Sequence, residues 1–322
     1  MTDNIPNSIP DLETISQAAK RINPFIHRTP VLTCQSLNQM VKAELFFKCE
    51  NFQKVGAFKF RGATNAVLSL SDEEAKRGVA THSSGNHAQA LALAAKIRGI
   101  KAYIVMPKNS SQVKIKAVEG YEGNIIFCEP TLQAREDTLE GVVKDTGATF
   151  IHPYNDYRII AGQATCAKEL LEEVKNLEMI IAPVGGGGLL SGTALAANYL
   201  SPETKVVAAE PAGADDAFRS FSEGKLIPQI NPQTIADGLR TSLGDKTFPI
   251  IRKYVKRIVT VSEDAIVSSM RVIWERMKII IEPSAAVPFA ALVENKIDVA
   301  GKRVGIILSG GNVDLDRLPW RD

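Results

Sequence analysis

The chain has 322 residues, 45% hydrophobic and 23% charged, values close to those of soluble globular proteins; wholesale disorder is excluded and two lobes are expected. Lysine and arginine number 38 against 36 aspartates and glutamates, a net charge of +2 with no long single-sign block, so neither nucleic acid nor a membrane surface is an expected partner. Cys34, Cys49, Cys128 and Cys166 contain no Cys-x-x-Cys pair and predict reduced thiols in a cytoplasmic protein. The first residues lack a basic-then-apolar secretory pattern, and the most apolar stretch, 179–190, is broken by Pro183 and four glycines, so no membrane span is expected.

From residue 79 onward one pattern recurs: a short β-rich apolar run, a turn signal, then a stretch with helical periodicity. Strands are predicted at 79–82, 102–106, 124–128, 149–152, 179–184, 205–209 and 303–308. Helices are predicted at 86–97, 131–144, 162–174, 189–200 and 263–277. Short buried strands alternating with amphipathic helices predict parallel sheets in an α/β fold. No repeat, low-complexity tract or long linker marks a lobe boundary. In such sheets ligands bind beyond the carboxyl ends of the strands. The polar and glycine-rich segments 81–87, 185–188 and 309–312 each follow a predicted strand and are read as one site.

Lys59 stands between Phe58 and Phe60. If it points inward, its aromatic neighbours desolvate the amine, lower its pKa and make it a nucleophile toward aldehydes; pointing outward, it is an ordinary snorkelling lysine. Ser83, Ser84, Gly85, Asn86 and His87 close a predicted strand and open a helix. Taken alone they read first as helix caps; the alternative, which the same geometry allows, is a carboxylate cradle of hydroxyls, an amide and free N–H groups. Gly185, Gly186, Gly187 and Gly188 lie between a strand and a helix, where bare N–H groups converge on an anion; phosphate is the natural guest. Leu190 breaks the Gly-x-Gly-x-x-Gly spacing of a dinucleotide site, and no P-loop is present. Glu210, the Ala214 carbonyl and Asp216 suit either a hard cation such as Mg²⁺ or a solvated acidic loop. Ser309, Gly310, Gly311 and Asn312 are a turn signal. The four histidines lack metal-ligand spacing, and Ser191 lacks the first glycine of a nucleophile elbow.

In this order, Ala-Phe-Lys-Phe-Arg-Gly, Ser-Ser-Gly-Asn-His, the tetraglycine and Ser-Gly-Gly-Asn resemble one family over nearly the whole chain, from Arg28 to Leu315. It is the fold-type II pyridoxal phosphate enzymes, in their serine racemase and serine/threonine dehydratase branch. The resemblance implies an α/β fold of the tryptophan synthase β type, with two open, twisted, mostly parallel sheets and flanking helices. The site would lie between a large lobe (1–70 and 156–322) and a small mobile lobe (71–155). Lys59 would hold pyridoxal 5′-phosphate as a Schiff base, Gly185, Gly186, Gly187 and Gly188 its phosphate, and Asn86 its ring hydroxyl. Ser309 would meet the pyridine nitrogen as a neutral partner, and Phe58 would pack on the ring. Lys59 and Ser84 would be opposed proton carriers on the two faces of the substrate α-carbon. Ser83, Ser84, Asn86, His87 and Arg135 are candidates to bind substrate. Glu210, Ala214 and Asp216 match the family's divalent-cation site, for Mg²⁺, Ca²⁺ or Mn²⁺.

The activity implied is interconversion of L- and D-serine, with β-elimination to pyruvate and ammonia alongside. Alternatives are an ammonia-lyase for L-threonine or L-threo-3-hydroxyaspartate, and a non-catalytic ligand-binding protein on the same fold. A homodimer without a C-terminal regulatory extension is expected. Three parts of the chain depart from the pattern. Tyr154 and Asn155 stand where vertebrate racemases carry asparagine directly after His-Pro. Lys54 is kept, but Val55, Cys34 and Gln35 replace hydroxyl residues of an ATP-contacting segment, which argues against ATP binding. Ala286 replaces a usual glycine, for which no physical reason is evident.

Overall fold

The computed structural model describes residues 8–110 and 112–320. Asp11 caps helix α1 (Leu12–Ile22) by accepting from the Thr14 N–H. There follow β1 (Val31–Leu32), α2 (Gln35–Val41), β2 (Glu44–Cys49) and α3 (Lys59–Leu68). A capping box between Ser71 and Glu74 starts α4 (Asp72–Arg77). Strand and helix then alternate: β3 (Val79–His82), α5 (Asn86–Arg98), β4 (Ala102–Pro107), α6 (Gln112–Gly120), β5 (Asn124–Cys128), α7 (Leu132–Thr146), β6 (Thr149–Phe150). The long helix α8 (Tyr157–Glu173) leads to β7 (Met179–Pro183), α9 (Gly188–Leu200), β8 (Lys205–Pro211) and α10 (Asp216–Glu223). The chain ends with α11 (Thr247–Tyr254), β9 (Arg257–Val261), α12 (Glu263–Met277), α13 (Pro283–Val293) and β10 (Arg303–Leu308).

Two sheets result, as expected. One has six strands in the order β1-β2-β10-β7-β8-β9, parallel throughout except for the β1–β2 pair at its edge. The other has four parallel strands in the order β5-β4-β3-β6. Strand β7 is buried along its whole length, as a parallel strand covered on both faces must be. Helix α3 bridges the two sheets' surroundings: Phe60, Ala63 and Val67 pack with Val79, Leu91 and Ile104 of the four-stranded region. Its other side meets α8 so closely that a Cβ on Gly162 would lie 2.6 Å from the Gly62 Cα.

Several boundaries differ from expectation. The strand expected over 149–152 pairs only at Thr149 and Phe150, and the helix expected from 162 starts at Tyr157 behind an Asp156 cap. Strands β1, β2 and β9 were not anticipated. In β2 the charged Glu44 and Lys48 interrupt the apolar run, yet Lys48 is fully buried because the fold supplies it with a carboxylate.

Candidate active site

Lys59 opens α3, and its Nζ donates to the Pro153 carbonyl at 2.9 Å while lying 5.2 Å from the Phe58 ring centre. Burial draws the amine down to about 8, against the opposing pull of the Glu282 carboxylate. The inward orientation is therefore the one adopted, with one difference: Phe60 turns away into the core, and of the two flanking phenylalanines Phe58 is the one beside the amine. The Pro153 carbonyl is held by His152, whose Nδ1 accepts from the N–H groups of Tyr154 (3.3 Å) and Asn155 (3.0 Å). Burial, then His82 and Lys59, lower that imidazole to about 4, which keeps it neutral and able to accept.

The tetraglycine follows β7 and turns into α9 through Gly187 at φ 88°. Among the described residues, the N–H groups of Gly185, Gly186, Gly187 and Gly188 donate to no protein acceptor. Thr247 stiffens the turn from behind: its hydroxyl donates to the Gly186 carbonyl (2.9 Å) and accepts from the Gly244 N–H (2.9 Å). Unpaired N–H groups at a helix start, fixed by buried neighbours, form an anion cradle.

The turn after β3 has the same logic. Gly85 is the N-cap of α5, and no side chain caps the helix; the reading of Ser83, Ser84 and Asn86 as caps is thus corrected. Ser83 Oγ accepts from the Gly85 N–H at 3.4 Å, and the N–H groups of Ser84, Asn86 and His87 have no protein acceptor among the described residues. The His87 side chain points away: its Nε2 meets the Ile151 carbonyl at 3.2 Å, and burial holds the ring well below its usual pKa. What His87 offers the cleft is its backbone.

Asn86 ties this turn to the far side of the cleft. Its amide donates to both oxygens of Glu282 at 3.1 Å, and its own carbonyl accepts from Asn312 at 2.9 Å. Asn312 also donates its N–H to Glu282 (3.2 Å) and its amide to the Val55 carbonyl (2.7 Å). Ser309 is buried at the end of β10, and its carbonyl accepts from the Phe58 N–H at 3.1 Å. These bonds bring Lys59, Phe58, Asn86 and Ser309 together. Arg135 on α7 makes no ion pair among the described residues, and its buried Nε has no partner.

Glu282 was not anticipated. It precedes Pro283, the first residue of helix α13, which is apolar but for Ser284, and burial raises it to about 7. The available signal was a carboxylate abutting an apolar run that starts with proline. Pro153, His152 and Thr247 act through carbonyl and ring contacts between distant segments, which left no local pattern.

Glu210 and Asp216 lie where β8 meets α10. Glu210 accepts from the N–H groups of Ala217 (3.0 Å) and Phe218 (2.8 Å), and Asp216 accepts from Leu243 (3.2 Å). Both are fully buried; burial raises Asp216 to about 7, and burial and Asp216 push Glu210 well up. Asp216 Oδ1 is buried without a partner. No cluster of three or more His, Cys, Asp or Glu side chains suited to a metal occurs among the described residues, so the arrangement is a carboxylate pair beside the short turn ending at Ala214.

The description "Pyridoxal-phosphate dependent enzyme" matches residues 22–310. The chain is 53% identical to the β-hydroxyaspartate dehydratase of Paracoccus denitrificans, covering 97% of this chain and 99% of that one. It is 52% identical to the serine racemase of Arabidopsis thaliana, covering 96% and 95%. The structure of maize serine racemase superposes with a TM-score of 0.93 at 47% identity, covering 96% of this chain and 95% of the maize chain. A desolvated lysine facing an anion cradle on this fold, together with these likenesses, makes the chain a member of the pyridoxal-phosphate-dependent enzyme family.

Proposed function

We propose that this enzyme interconverts L- and D-serine and, from the same loss of the α-proton, eliminates water from serine to leave an enamine that water then hydrolyses to pyruvate and ammonia. The observation that supports it is Lys59: an amine drawn down to about 8, seated on the Pro153 carbonyl between two turns with free N–H groups. When bound, pyridoxal phosphate supplies an electron sink for negative charge at the α-carbon. Gly185, Gly186, Gly187 and Gly188 hold its phosphate with their N–H groups. Phe58, Asn86 and Ser309 orient the ring, with Ser309 a neutral partner for its nitrogen. Lys59 Nζ would take and return the α-proton on one face, and Ser84 Oγ would do so on the other. Ser83, Ser84, Asn86 and His87 receive the substrate carboxylate on the N–H groups that start α5. The lobe of residues 71–155 closes over the substrate and excludes water, and the Lys114–Asp237 pair (2.7 Å) joining α6 to the turn at Asp237 supports such a closed form.

Glu210, Asp216 and the Ala214 carbonyl hold a divalent cation such as Mg²⁺, Ca²⁺ or Mn²⁺. Two buried carboxylates that repel each other, one with an unpartnered oxygen, fit such an ion. Adding Mg²⁺ to chelator-treated protein raises its melting temperature, and Asp216→Asn removes that rise. The enzyme is a cytoplasmic homodimer; the four free cysteines support the location, and no described helix is long and apolar enough to cross a membrane.

A second reading, ammonia-lyase action on L-threo-3-hydroxyaspartate, is favoured by Arg135, whose unpaired guanidinium suits a second carboxylate. The test is incubation with L-serine and Mg²⁺, with D-serine and pyruvate quantified together. D-serine that disappears in Lys59→Ala supports racemisation. Pyruvate alone removes the racemase reading, and faster ammonia release from hydroxyaspartate, lost in Arg135→Ala, establishes the second.

A further inference from the structure

Four charged side chains outside the site form a closed cluster in the core. Arg61 meets Glu50 through Nε (2.7 Å) and Nη2 (2.9 Å), and Glu169 through Nη1 (2.7 Å) and Nη2 (2.8 Å). Lys48 donates to Glu169 (2.7 Å) and to the Thr29 carbonyl (2.7 Å), and the Thr29 hydroxyl donates to Glu50 (2.6 Å). All four are buried, and two cations balance two anions. Such a cluster is a weak source of stability, because desolvation offsets the attraction and apolar packing serves as well. It is a strong source of geometry, since a guanidinium gripped by two carboxylate forks has one permitted plane.

The geometry is spent on one helix. Arg61 lies two residues beyond Lys59 in the first turn of α3, and that helix start has no side-chain cap to hold it. Lys48 and Glu50 come from the end of β2, and Glu169 from α8. We propose that the Arg61 cluster is a positioning device for Lys59, clamping the first turn of α3 to β2 and α8 so that the amine keeps its place, and balancing its own charge so that none is imposed on that amine. This rests on the reading of Lys59 as the cofactor lysine. The titratable groups that face Lys59 from other elements are Glu282, His87 and His152, and none belongs to the cluster.

The two parts of the device separate by mutation. Arg61→Lys keeps the charge and loses the forks. Glu50→Gln keeps the shape and leaves an excess cation beside α3, and Glu50→Gln with Lys48→Met restores balance. The readouts are the melting temperature and the pH dependence of the rate at which the cofactor-stripped protein recombines with pyridoxal phosphate. Arg61→Lys should slow recombination about tenfold or more with its pH midpoint kept. Glu50→Gln should lower the midpoint by roughly half a unit or more, and the double variant should bring it back. If Arg61→Lys does not fold, the two Glu50 variants carry the test. Parental rates and midpoints in every folded variant, with only melting temperatures lowered, would make the cluster purely structural and overturn the proposal. A parent protein that takes up no cofactor overturns the reading of Lys59 as well.

Discussion

The tetraglycine turn after β7 and the 83–87 turn after β3 each end a parallel strand, begin a helix and leave N–H groups unpaired, but their glycines have opposite surroundings. A Cβ on Gly185 would lie 2.8 Å from the Leu239 Cα, and one on Gly186 would lie 2.3 Å from the Tyr154 ring. A Cβ on Gly85 would meet nothing within 4 Å. Protein fills the space behind the first turn, as suits the constant cofactor proposed for it. The second turn faces open space, as suits the substrates and products proposed to come and go there. The function proposed above assigns chemistry to the hydroxyls of the second turn and binding to the glycines of the first.

The largest expected effect tests that division. Ser84→Ala should lower racemisation of both serine enantiomers by about 10²–10⁴-fold while elimination from L-serine falls far less, because only inversion needs a proton carrier on the second face. Chiral chromatography of both reactions in one sample checks it; equal losses would mean that Ser84 only binds. Next comes Gly185→Ala. Leu239 backbone cannot yield to the new methyl, so cofactor affinity should fall about 100-fold, roughly 3 kcal/mol, and the melting temperature should drop with it. Titration of the cofactor-stripped variant measures this, and parental affinity would show that the cradle is more compliant than its packing indicates.

How much of this contrast was legible in the sequence depends on distance along the chain. The strands at 79–82, 124–128 and 303–308 are found where their β-rich runs stand between turn residues, because a local apolar run is all the signal needs: the first and last are largely buried, and the edge strand 124–128 keeps such a run although it is half-exposed. Helix α13 was missed for the same physical reason in reverse: an element buried all round has no polar face to give a period. Both turns were visible as motifs, since glycine and serine clusters after strands are local signals. What was not visible is what packs behind them. Tyr154 over Gly186, Thr247 on the Gly186 carbonyl and Glu282 beneath Asn86 join segments far apart in the chain. The cap reading failed because a cap and an anion site use the same residue types, and only the hydrogen bonds distinguish them.

A smaller effect comes from pH. Lys59 is lowered to about 8 by burial, so its amine is charged below that value and nucleophilic above it. Recombination of the stripped protein with pyridoxal phosphate should therefore speed up about tenfold between pH 7 and pH 9 and then level off. A rise that continues to the ordinary lysine range would mean that the amine is solvated, with the burial supplied by neither turn.

The smallest effect contrasts the two turns directly, because the same chemical change should cost them different amounts of stability. Gly85 has φ −118° and free space where a methyl would go. Gly85→Ala should therefore change stability by less than about 1 kcal/mol, where Gly185→Ala destabilises the protein by more. The added methyl projects into the space a substrate carboxylate would use, so KM for serine should rise by a few-fold to about tenfold while cofactor affinity stays at the parental value. Paired thermal melts and steady-state kinetics on the two variants decide the point. If Gly85→Ala loses stability as Gly185→Ala does, the second turn is packed like the first and its openness is not what admits the substrate.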